Sequence, residues 1–206
     1  MRPSIDPISA NDTIVSLNNE INNLREQNVK LINEITNLKE YLAEIQTLAD
    51  SDTLTPLPNR RCFLRELKRV VSFVARHGNG AAVLYVDVDD LKNINDCHGH
   101  QAGDAALIHV ATMLRNTLRS TDLIARIGGD EFGLLIDPID EKDVPAKIDS
   151  LRAAICASPL MVDGVHVKGS VSIGYTMIRA DDDVDTALAR ADAAMYAVRR
   201  IQRSER

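Results

Sequence analysis

The stretch Arg126-Ile127-Gly128-Gly129-Asp130-Glu131-Phe132 lies between two apolar runs, residues 123–125 and residues 134–136. Two short apolar runs joined by a Gly-Gly turn predict a β-hairpin. Glycines allow positive φ and a close approach of the backbone to a ligand. Two adjacent carboxylates at such a tip repel each other unless a cation or a hydrogen-bonding ligand lies between them. Gly-Asp pairs are also common in solvated turns, so the sequence alone leaves an ordinary turn and a ligand site open.

A second acidic group follows the apolar run of residues 81–88, which predicts a buried strand. Asp87 and Asp89 lie at the end of this strand, with Asp90 beside them. If the strand lies beside the hairpin, the carboxylates of the two places converge. Proteins usually hold Mg²⁺ with one or two carboxylates plus substrate phosphates, and such sparse ligation is typical of phosphoryl or nucleotidyl transfer. Acids can also simply begin a helix, an interpretation that we apply to Asp90 but not to Asp87.

Helices and strands alternate along the rest of this part of the chain. The pattern predicts a helix that ends near residue 77, a short helix over residues 91–94, a loop over 95–104, a helix over 104–118, a helix over 141–157, a strand over 171–177 and a last helix over 184–201. This order predicts an α+β fold in which helices flank a mixed or antiparallel central sheet.

A heptad pattern precedes the predicted sheet. The a positions are Ile14, Ile21, Asn28, Ile35 and Leu42, and the d positions are Leu17, Leu24, Leu31, Leu38 and Ile45. β-Branched residues at a with Leu at d favour a parallel two-stranded coiled coil, and the one polar a residue can fix register and dimer state. The alternative is a long helix packed on its own domain, which more than four heptads without Gly or Pro disfavour. We therefore predict a disordered lead over residues 1–11, a dimerisation helix over 12–51 and a folded domain over 52–206.

Composition narrows the class of protein. Of the 206 residues 45% are hydrophobic, and the net charge of −6 disfavours a general nucleic-acid surface. The three cysteines follow no paired spacing, which indicates reduced thiols in a cytoplasm-like compartment. No apolar run approaches the roughly 20 residues that span a bilayer, and the N-terminus lacks the apolar segment of a signal peptide. We expect a cytoplasmic protein without a membrane span.

Six short motifs follow one another along the predicted domain. They are Leu54-Thr55-x-Leu57-Pro58-Asn59-Arg60-Arg61, Asp87-x-Asp89-x-x-Lys92-x-Ile94-Asn95-Asp96, Gly99-His100-x-x-Gly103-Asp104, the hairpin motif Arg126-x-Gly128-Gly129-Asp130-Glu131-Phe132, Ser172-Ile173-Gly174 and Ala191-Asp192-x-Ala194-Met195-Tyr196. In this order and spacing they resemble the GGDEF-domain diguanylate cyclases. The resemblance implies a palm-like fold related to nucleotide cyclases. It also implies a reaction that joins two GTP into cyclic di-GMP and releases two pyrophosphates.

The resemblance also implies roles for individual residues. Asp87, Asp130 and the carbonyl of Val88 would hold two divalent cations, Mg²⁺ or Mn²⁺, and Asp130 and Glu131 would help deprotonate the 3′-hydroxyl. The other residues implied are Lys92, Arg199 and Arg203 on the phosphates, the amides of Asp90 and Leu91 around them, Gly128 and Gly129 in the turn, Asn95 and Asp104 on the guanine edge, and His100 in the guanine pocket. An aspartate on N1–H and N2–H₂ selects guanine, because adenine lacks that donor pair. Taken singly, Asn95, Gly99 and Gly103 could be ordinary loop residues and Asp104 an N-cap.

Upstream of the hairpin, Arg119-x-x-Asp122 has the spacing of the family's inhibitory site for cyclic di-GMP. A guanidinium suits a phosphate or a guanine edge, although so short a motif could also be a surface ion pair. The chain departs from the family at four positions. Pro56 stands where Gly is usual, Leu91 where Phe is usual, Arg199 where Lys is usual and Gln202 where Gly is usual. Arg199 keeps the charge, but Arg and Lys position a phosphate differently.

The implied reaction accounts for the heptads. Each GTP must present its 3′-hydroxyl to the α-phosphate of the other, so two half-sites must face each other. A coiled coil would raise the effective concentration of the second half-site to roughly millimolar. Two rival hypotheses are a catalytically silent receptor that binds cyclic di-GMP through Arg119 and Asp122, and a coiled-coil scaffold. The intact acids weigh against the receptor, and the motif set weighs against the scaffold.

Overall fold

The computed structural model describes residues 7–158, 160–162, 165–167 and 169–204, but not the side chains at 7–14, 160–162, 165–167 and 203. The helices are α1 (Pro7–Asp50), α2 (Arg60–His77), α3 (Leu91–His98), α4 (His100–Thr117), α5 (Val144–Ala157) and α6 (Val184–Ser204). The strands are β1 (Ala82–Val88), β2 (Leu123–Arg126), β3 (Glu131–Ile136), β4 (Leu160–Val162), β5 (Val165–Val167) and β6 (Val171–Met177), and a 3₁₀ turn (Glu141–Asp143) precedes α5.

The chain consists of two compact units, and the boundary lies between Ala49 and Asp50. The first unit is helix α1, which begins at Pro7, so residues 7–11 are helical where the sequence predicted a disordered lead; residues 1–6 lie outside the described part of the chain. The described a and d side chains other than Asn28 are 42–59% exposed. Apolar side chains repeated at this spacing form a continuous stripe along the helix, and its described side chains are exposed.

A four-stranded antiparallel sheet in the order β2-β3-β1-β6 forms the centre of the second unit. Strand β1 is buried along its whole length because helices cover both faces of the sheet. Its residues alternate between two apolar clusters. Leu84 and Val86 pack with residues of α4 and α5, whereas Val83 and Tyr85 pack with residues of α2 and α6. The predicted α+β fold with a central antiparallel sheet is confirmed.

The segment from Leu91 to Thr117 differs from the prediction of a short helix, a loop and a helix that begins at Asp104. Helix α3 continues to His98, and α4 begins at His100. The two helices are separated by Gly99 alone, whose φ of 81° is costly for other residues. Gly103 is inside α4, where a Cβ would overlap the amide of Asn95. Both glycines were predicted to lie in a loop, whereas Gly99 ends helix α3 and Gly103 allows close packing inside α4.

No helix among the described residues is both long enough and apolar enough to cross a bilayer.

Candidate active site

The register of β1 and β3 brings the two acidic groups together. Asp87 lies directly opposite Glu131, and the amide of Val88 donates to the carbonyl of Asp130 at 3.0 Å. Directly opposed residues on neighbouring antiparallel strands have their side chains on the same face of the sheet. The carboxylates that the sequence predicted to converge therefore lie at one end of the same strand pair.

The hairpin turn is closed by backbone hydrogen bonds. The amides of Ile127 and Gly128 donate to the carbonyl of Glu131 at 2.9 and 3.3 Å. Neither Gly128 nor Gly129 has a positive φ, so the turn does not use the left-handed conformation that glycine allows. A Cβ at Gly128 would lie 2.5 Å from Oε2 of Glu131, so the end of that side chain would have to shift. Gly129 borders open space, which leaves its backbone accessible.

Asp87 is a buried carboxylate with its two oxygens in different surroundings. The residue is 2% exposed, and Oδ2 accepts a hydrogen bond from Nη1 of Arg199 at 2.7 Å. Oδ1 is buried and has no hydrogen-bond partner among the described residues. Burial, followed by the charge of Asp130, raises the pKa of Asp87 to about 6, although Arg199 opposes the shift. A buried, unpartnered carboxylate oxygen is costly and suits a bound cation.

Asp89 has a structural role. Its carboxylate accepts hydrogen bonds from the hydroxyls of Ser170 at 2.8 Å and Ser172 at 2.7 Å. The hydroxyl of Ser172 also lies 2.7 Å from Oε1 of Gln202. Asp89 thus anchors the residues just before and in β6, and Gln202, one of the departures from the family pattern, joins that network.

The pKa of Glu131 is shifted by the charges of residues that were given no role from the sequence. Burial raises the pKa of Glu131, and the charges of Asp130 and Asp192 raise it further, while Arg60 and Arg199 oppose the shift. Nη1 of Arg60 also donates to the carbonyl of Ile127 at 3.3 Å. Both Arg60 and Asp192 belong to recognised motifs, so position in a motif was the available signal, but their proximity to Glu131 depends on tertiary packing.

A third residue that was given no role from the sequence, Arg126, ties the hairpin turn to the start of the second unit. Nε and Nη2 of Arg126 donate to the carbonyl of Gly129 at 3.3 and 2.8 Å, and Nη1 contacts Asp52 at 3.2 Å. Its amide donates to the carbonyl of Pro58 at 2.9 Å. Burial opposes the shift, but hydrogen bonds from Thr55 and Arg126 hold the pKa of Asp52 below its usual value. The predicted polar junction around Asp52 is thus part of the support for the turn.

The residues expected to bind the nucleotide lie on α3 and α4, directly after β1. Asp90 has a left-handed φ of 57° at the start of α3, a strained conformation that often marks functional sites. The side chain of Asn95 lies against Gly103. Asp104 is exposed in the second turn of α4, so it is not the N-cap of that helix. The side chains of Lys92 and His100 are also exposed, and Leu91 is half-buried. From α6, Arg199 reaches Asp87, whereas the side chain of Arg203 lies outside the described part of the structure.

Comparison with known proteins assigns the fold. A family model described as "Diguanylate cyclase, GGDEF domain" matches residues 49–205.

The chain belongs to the GGDEF-domain family.

Among its relatives, diguanylate cyclase TpbB of Pseudomonas aeruginosa is 39% identical over 166 residues, which are 80% of this chain and 38% of TpbB. Two solved structures resemble most of the chain. The coiled coil and GGDEF domain of DgcB from Caulobacter crescentus, in complex with c-di-GMP, has a TM-score of 0.76 at 27% identity, covering 86% of this chain and 94% of DgcB. Diguanylate cyclase SiaD of Pseudomonas aeruginosa, in complex with its activator SiaC, has a TM-score of 0.73 at 28% identity, covering 93% of this chain and 75% of SiaD. The chain thus spans less than half of the curated relative TpbB.

The GGDEF domain carries a cavity of about 560 Å³ away from these acids, and Arg119 and Asp122 line it. The amide of Arg119 donates to Oδ2 of Asp122 at 3.0 Å. The carboxylate is 2% exposed and lies 3.9 Å from Nζ of Lys147, which also donates to the carbonyl of Thr117 at 2.9 Å. Asp122 therefore contacts the backbone of Arg119 and the side chain of Lys147, and the exposed guanidinium of Arg119 borders the cavity.

Proposed function

We propose that this protein is a diguanylate cyclase, which condenses two GTP into cyclic di-GMP and releases two pyrophosphates. The observation that carries the proposal is the buried Oδ1 of Asp87, which has no hydrogen-bond partner among the described residues. The amide of the next residue, Val88, donates to the carbonyl of Asp130. A silent receptor has no need of such an oxygen, which destabilises the fold.

The donor set suits divalent cations, and we assign two of them, Mg²⁺ or Mn²⁺, to Asp87, Asp130 and the carbonyl of Val88. Carboxylate and carbonyl oxygens are the ligands that Mg²⁺ prefers, completed by substrate phosphates. No cluster of three or more His, Cys, Asp or Glu side chains of metal-binding geometry occurs in the described residues, so the phosphates would have to complete the coordination. When bound, the cations would lower the pKa of the 3′-hydroxyl and offset the charge of the phosphates.

The protein side chains would then bind, orient and move a proton. Asp130 and Glu131 would help to deprotonate the 3′-hydroxyl, and burial raises the pKa of Glu131, which makes its carboxylate a better base. Lys92, Arg199 and Arg203 bind the phosphates, with the amides of Asp90 and Leu91 and the turn of Gly128 and Gly129. Asn95 and Asp104 bind the guanine edge, and His100 borders it.

We further propose that the enzyme acts as a parallel homodimer with one GTP in each subunit. The exposed a and d stripe of α1 supports this assembly, because burying such side chains against an identical helix removes apolar surface from water.

Product inhibition is the remaining part of the proposal. The cavity beside Arg119, Asp122 and Lys147 supports it, because the guanidinium and the ammonium on its lining suit the phosphates of a dinucleotide, although Asp140 and Asp143 line it too.

Asp130→Ala tests the catalytic assignment. Incubation with GTP and Mg²⁺, followed by chromatography of the nucleotides, should show cyclic di-GMP from the native protein and none from the variant, whereas ATP should give no product. Asp185→Ala, at an exposed acid near the start of α6, serves as the charge-matched control and should retain activity. Synthesis by Asp130→Ala would refute the metal-site assignment.

If the native protein makes no product, bound nucleotide is removed and the assay is repeated with Arg119→Ala. Recovered synthesis would identify inhibition by co-purified product. Continued failure to make product, together with binding of cyclic di-GMP by the native protein, would favour the receptor over the enzyme.

A further inference from the structure

The contact between Arg199 and Asp87 is a close ion pair at the centre of the candidate site. The N–O distance is 2.7 Å, and the two side chains are 24% and 3% exposed. Arg199 stands on α6, at a position where the sequence analysis expects lysine. The pair therefore involves one of the departures of this chain from its family and one of the acids assigned to metal binding.

A guanidinium and a divalent cation cannot share this carboxylate without cost. At a partly buried site the repulsion between two such cations is only weakly screened. The nearby carboxylate of Asp89 is hydrogen-bonded to the hydroxyls of Ser170 and Ser172 instead.

We infer that Arg199 competes with the divalent cation for Asp87 and transfers to the triphosphate when the metal-bound nucleotide enters. This inference rests on the proposed function, because it takes Asp87 as a metal ligand. Its consequence is that a cation binds weakly in the absence of nucleotide, and that cation and nucleotide each strengthen the binding of the other.

Arginine is suited to such a transfer. Nη1 makes the bond to Asp87, and the guanidinium has four further N–H donors in a planar fork that matches a phosphate. A phosphate can therefore be bound before the carboxylate is released. Lysine instead has three N–H donors on one nitrogen, which do not form a planar fork.

A purely orienting role for Arg199 predicts the opposite result. If its bond to Oδ2 only turned Oδ1 towards the cation, then removal of Arg199 would leave the carboxylate free to rotate and would weaken cation binding. Competition instead predicts that removal strengthens it, so the sign of the effect separates the two.

The test titrates Mn²⁺ into the nucleotide-free protein and follows the free ion by electron paramagnetic resonance, at about pH 8 so that the carboxylate is ionised. Arg199→Gln should bind Mn²⁺ about tenfold more tightly than the native protein, because a nearby like charge is removed. Arg200→Gln is the matched control, since it removes an equal charge from the exposed adjacent residue and should bind as the native protein does. A saturating non-hydrolysable GTP analogue should strengthen Mn²⁺ binding less in Arg199→Gln than in the native protein.

Unchanged or weaker Mn²⁺ binding by Arg199→Gln would overturn the inference, as would equal strengthening by Arg200→Gln. If Arg199→Gln does not fold, as judged by its thermal transition, Arg199→Met retains the apolar stem and carries the same expectation. Asp87→Asn distinguishes failure of the competition at Asp87 from failure of the proposed function. Loss of Mn²⁺ binding in Asp87→Asn, without strengthening in Arg199→Gln, overturns the competition and leaves the proposed function intact. Native-like binding by Asp87→Asn overturns both.

Discussion

At the scale of single residues, Asp87 opposes the stability of the fold that contains it. Its pKa is raised from 3.8 to about 6 in the folded protein, so the folded state holds a proton that the unfolded state has released between these two values. The free energy of unfolding therefore falls as the pH rises through this interval. Above it the ionised carboxylate costs the fold about 3 kcal/mol by linkage. Under the proposed function this cost is tolerated because Asp87 must be ionised to bind a cation.

Asp87→Asn should therefore raise the thermal midpoint of the metal-free protein near pH 7.5, because the neutral amide avoids the cost of a buried charge. The gain should shrink at about pH 4.5, where the native carboxyl is protonated. Thermal unfolding by circular dichroism at the two pH values measures both effects. An equal gain at both would show that the ionised form of Asp87 is not the source of the instability.

Lys147 is the residue through which the proposed product inhibition can be separated from the proposed catalysis. Its ammonium lies beside Asp122 at the rim of the cavity, and a cation there would attract an anionic ligand. Lys147→Ala should raise the concentration of cyclic di-GMP that halves the rate by about tenfold, the usual effect of losing one charge-assisted contact. The initial rate without product should be unchanged. Lys142→Ala, in the exposed 3₁₀ turn, should leave both quantities as they are.

At the scale of elements, the contact between α6 and β6 depends on Gly174. A Cβ there would overlap the backbone of Met195, which cannot move aside as the end of a side chain can. Because α6 also carries Arg199, this close contact fixes the distance from which the guanidinium reaches Asp87.

Gly174→Ala should reduce the free energy of unfolding by about 2–3 kcal/mol through overpacking. Gly129→Ala is the control, because a Cβ there meets no atom within 4 Å, and its cost should stay within about 0.5 kcal/mol. Urea denaturation of both variants provides the comparison. Equal losses would mean that α6 can shift away from the sheet.

The sequence predicted the elements whose periodicity is long and unbroken. β6 has the predicted bounds, and β1 differs by one residue. The segment around Gly99 was predicted wrongly, because glycines mark loops, helix ends and close packing alike. In the candidate site, the convergence of Asp87 with the hairpin follows from strand order. The contacts of Arg126 with Asp52 and of Arg199 with Asp87 join residues distant in sequence, so no local pattern predicts them.

At the scale of the whole molecule, the heptad stripe leaves a long row of apolar side chains exposed in a single chain. Burial of one such side chain is worth about 1.5–3 kcal/mol, so several of them would stabilise a dimer strongly. The proposed reaction requires two half-sites, and a dimer formed through the stripe would hold them together at low protein concentration.

Replacement of the d residues Leu24, Leu31 and Leu38 by Glu should abolish this association, because it places charges where the two helices would bury apolar side chains. The specific activity of the variant should then fall on dilution, whereas that of the native protein should stay constant over the same range. Activity assays over a dilution series, with sedimentation to establish the oligomeric state, measure both effects.

The control for this variant places the same number of new charges on the opposite side of the helix. Asn19, Asn33 and Thr47 are exposed and occupy neither a nor d positions, so their replacement by Glu should leave both the association and the activity as in the native protein. Full activity of the leucine variant as a dilute monomer would refute the tethering role of the helix.

The exposed stripe of α1 also has a genetic consequence. Under the proposed dimer, a chain with Asp130→Ala keeps its stripe and can still pair with an intact chain, but the mixed pair has only one working half-site. With equal amounts of both chains and random pairing, about one quarter of the pairs are fully intact. Such an allele would be dominant over the wild type, whereas an allele that also lost the stripe would be recessive.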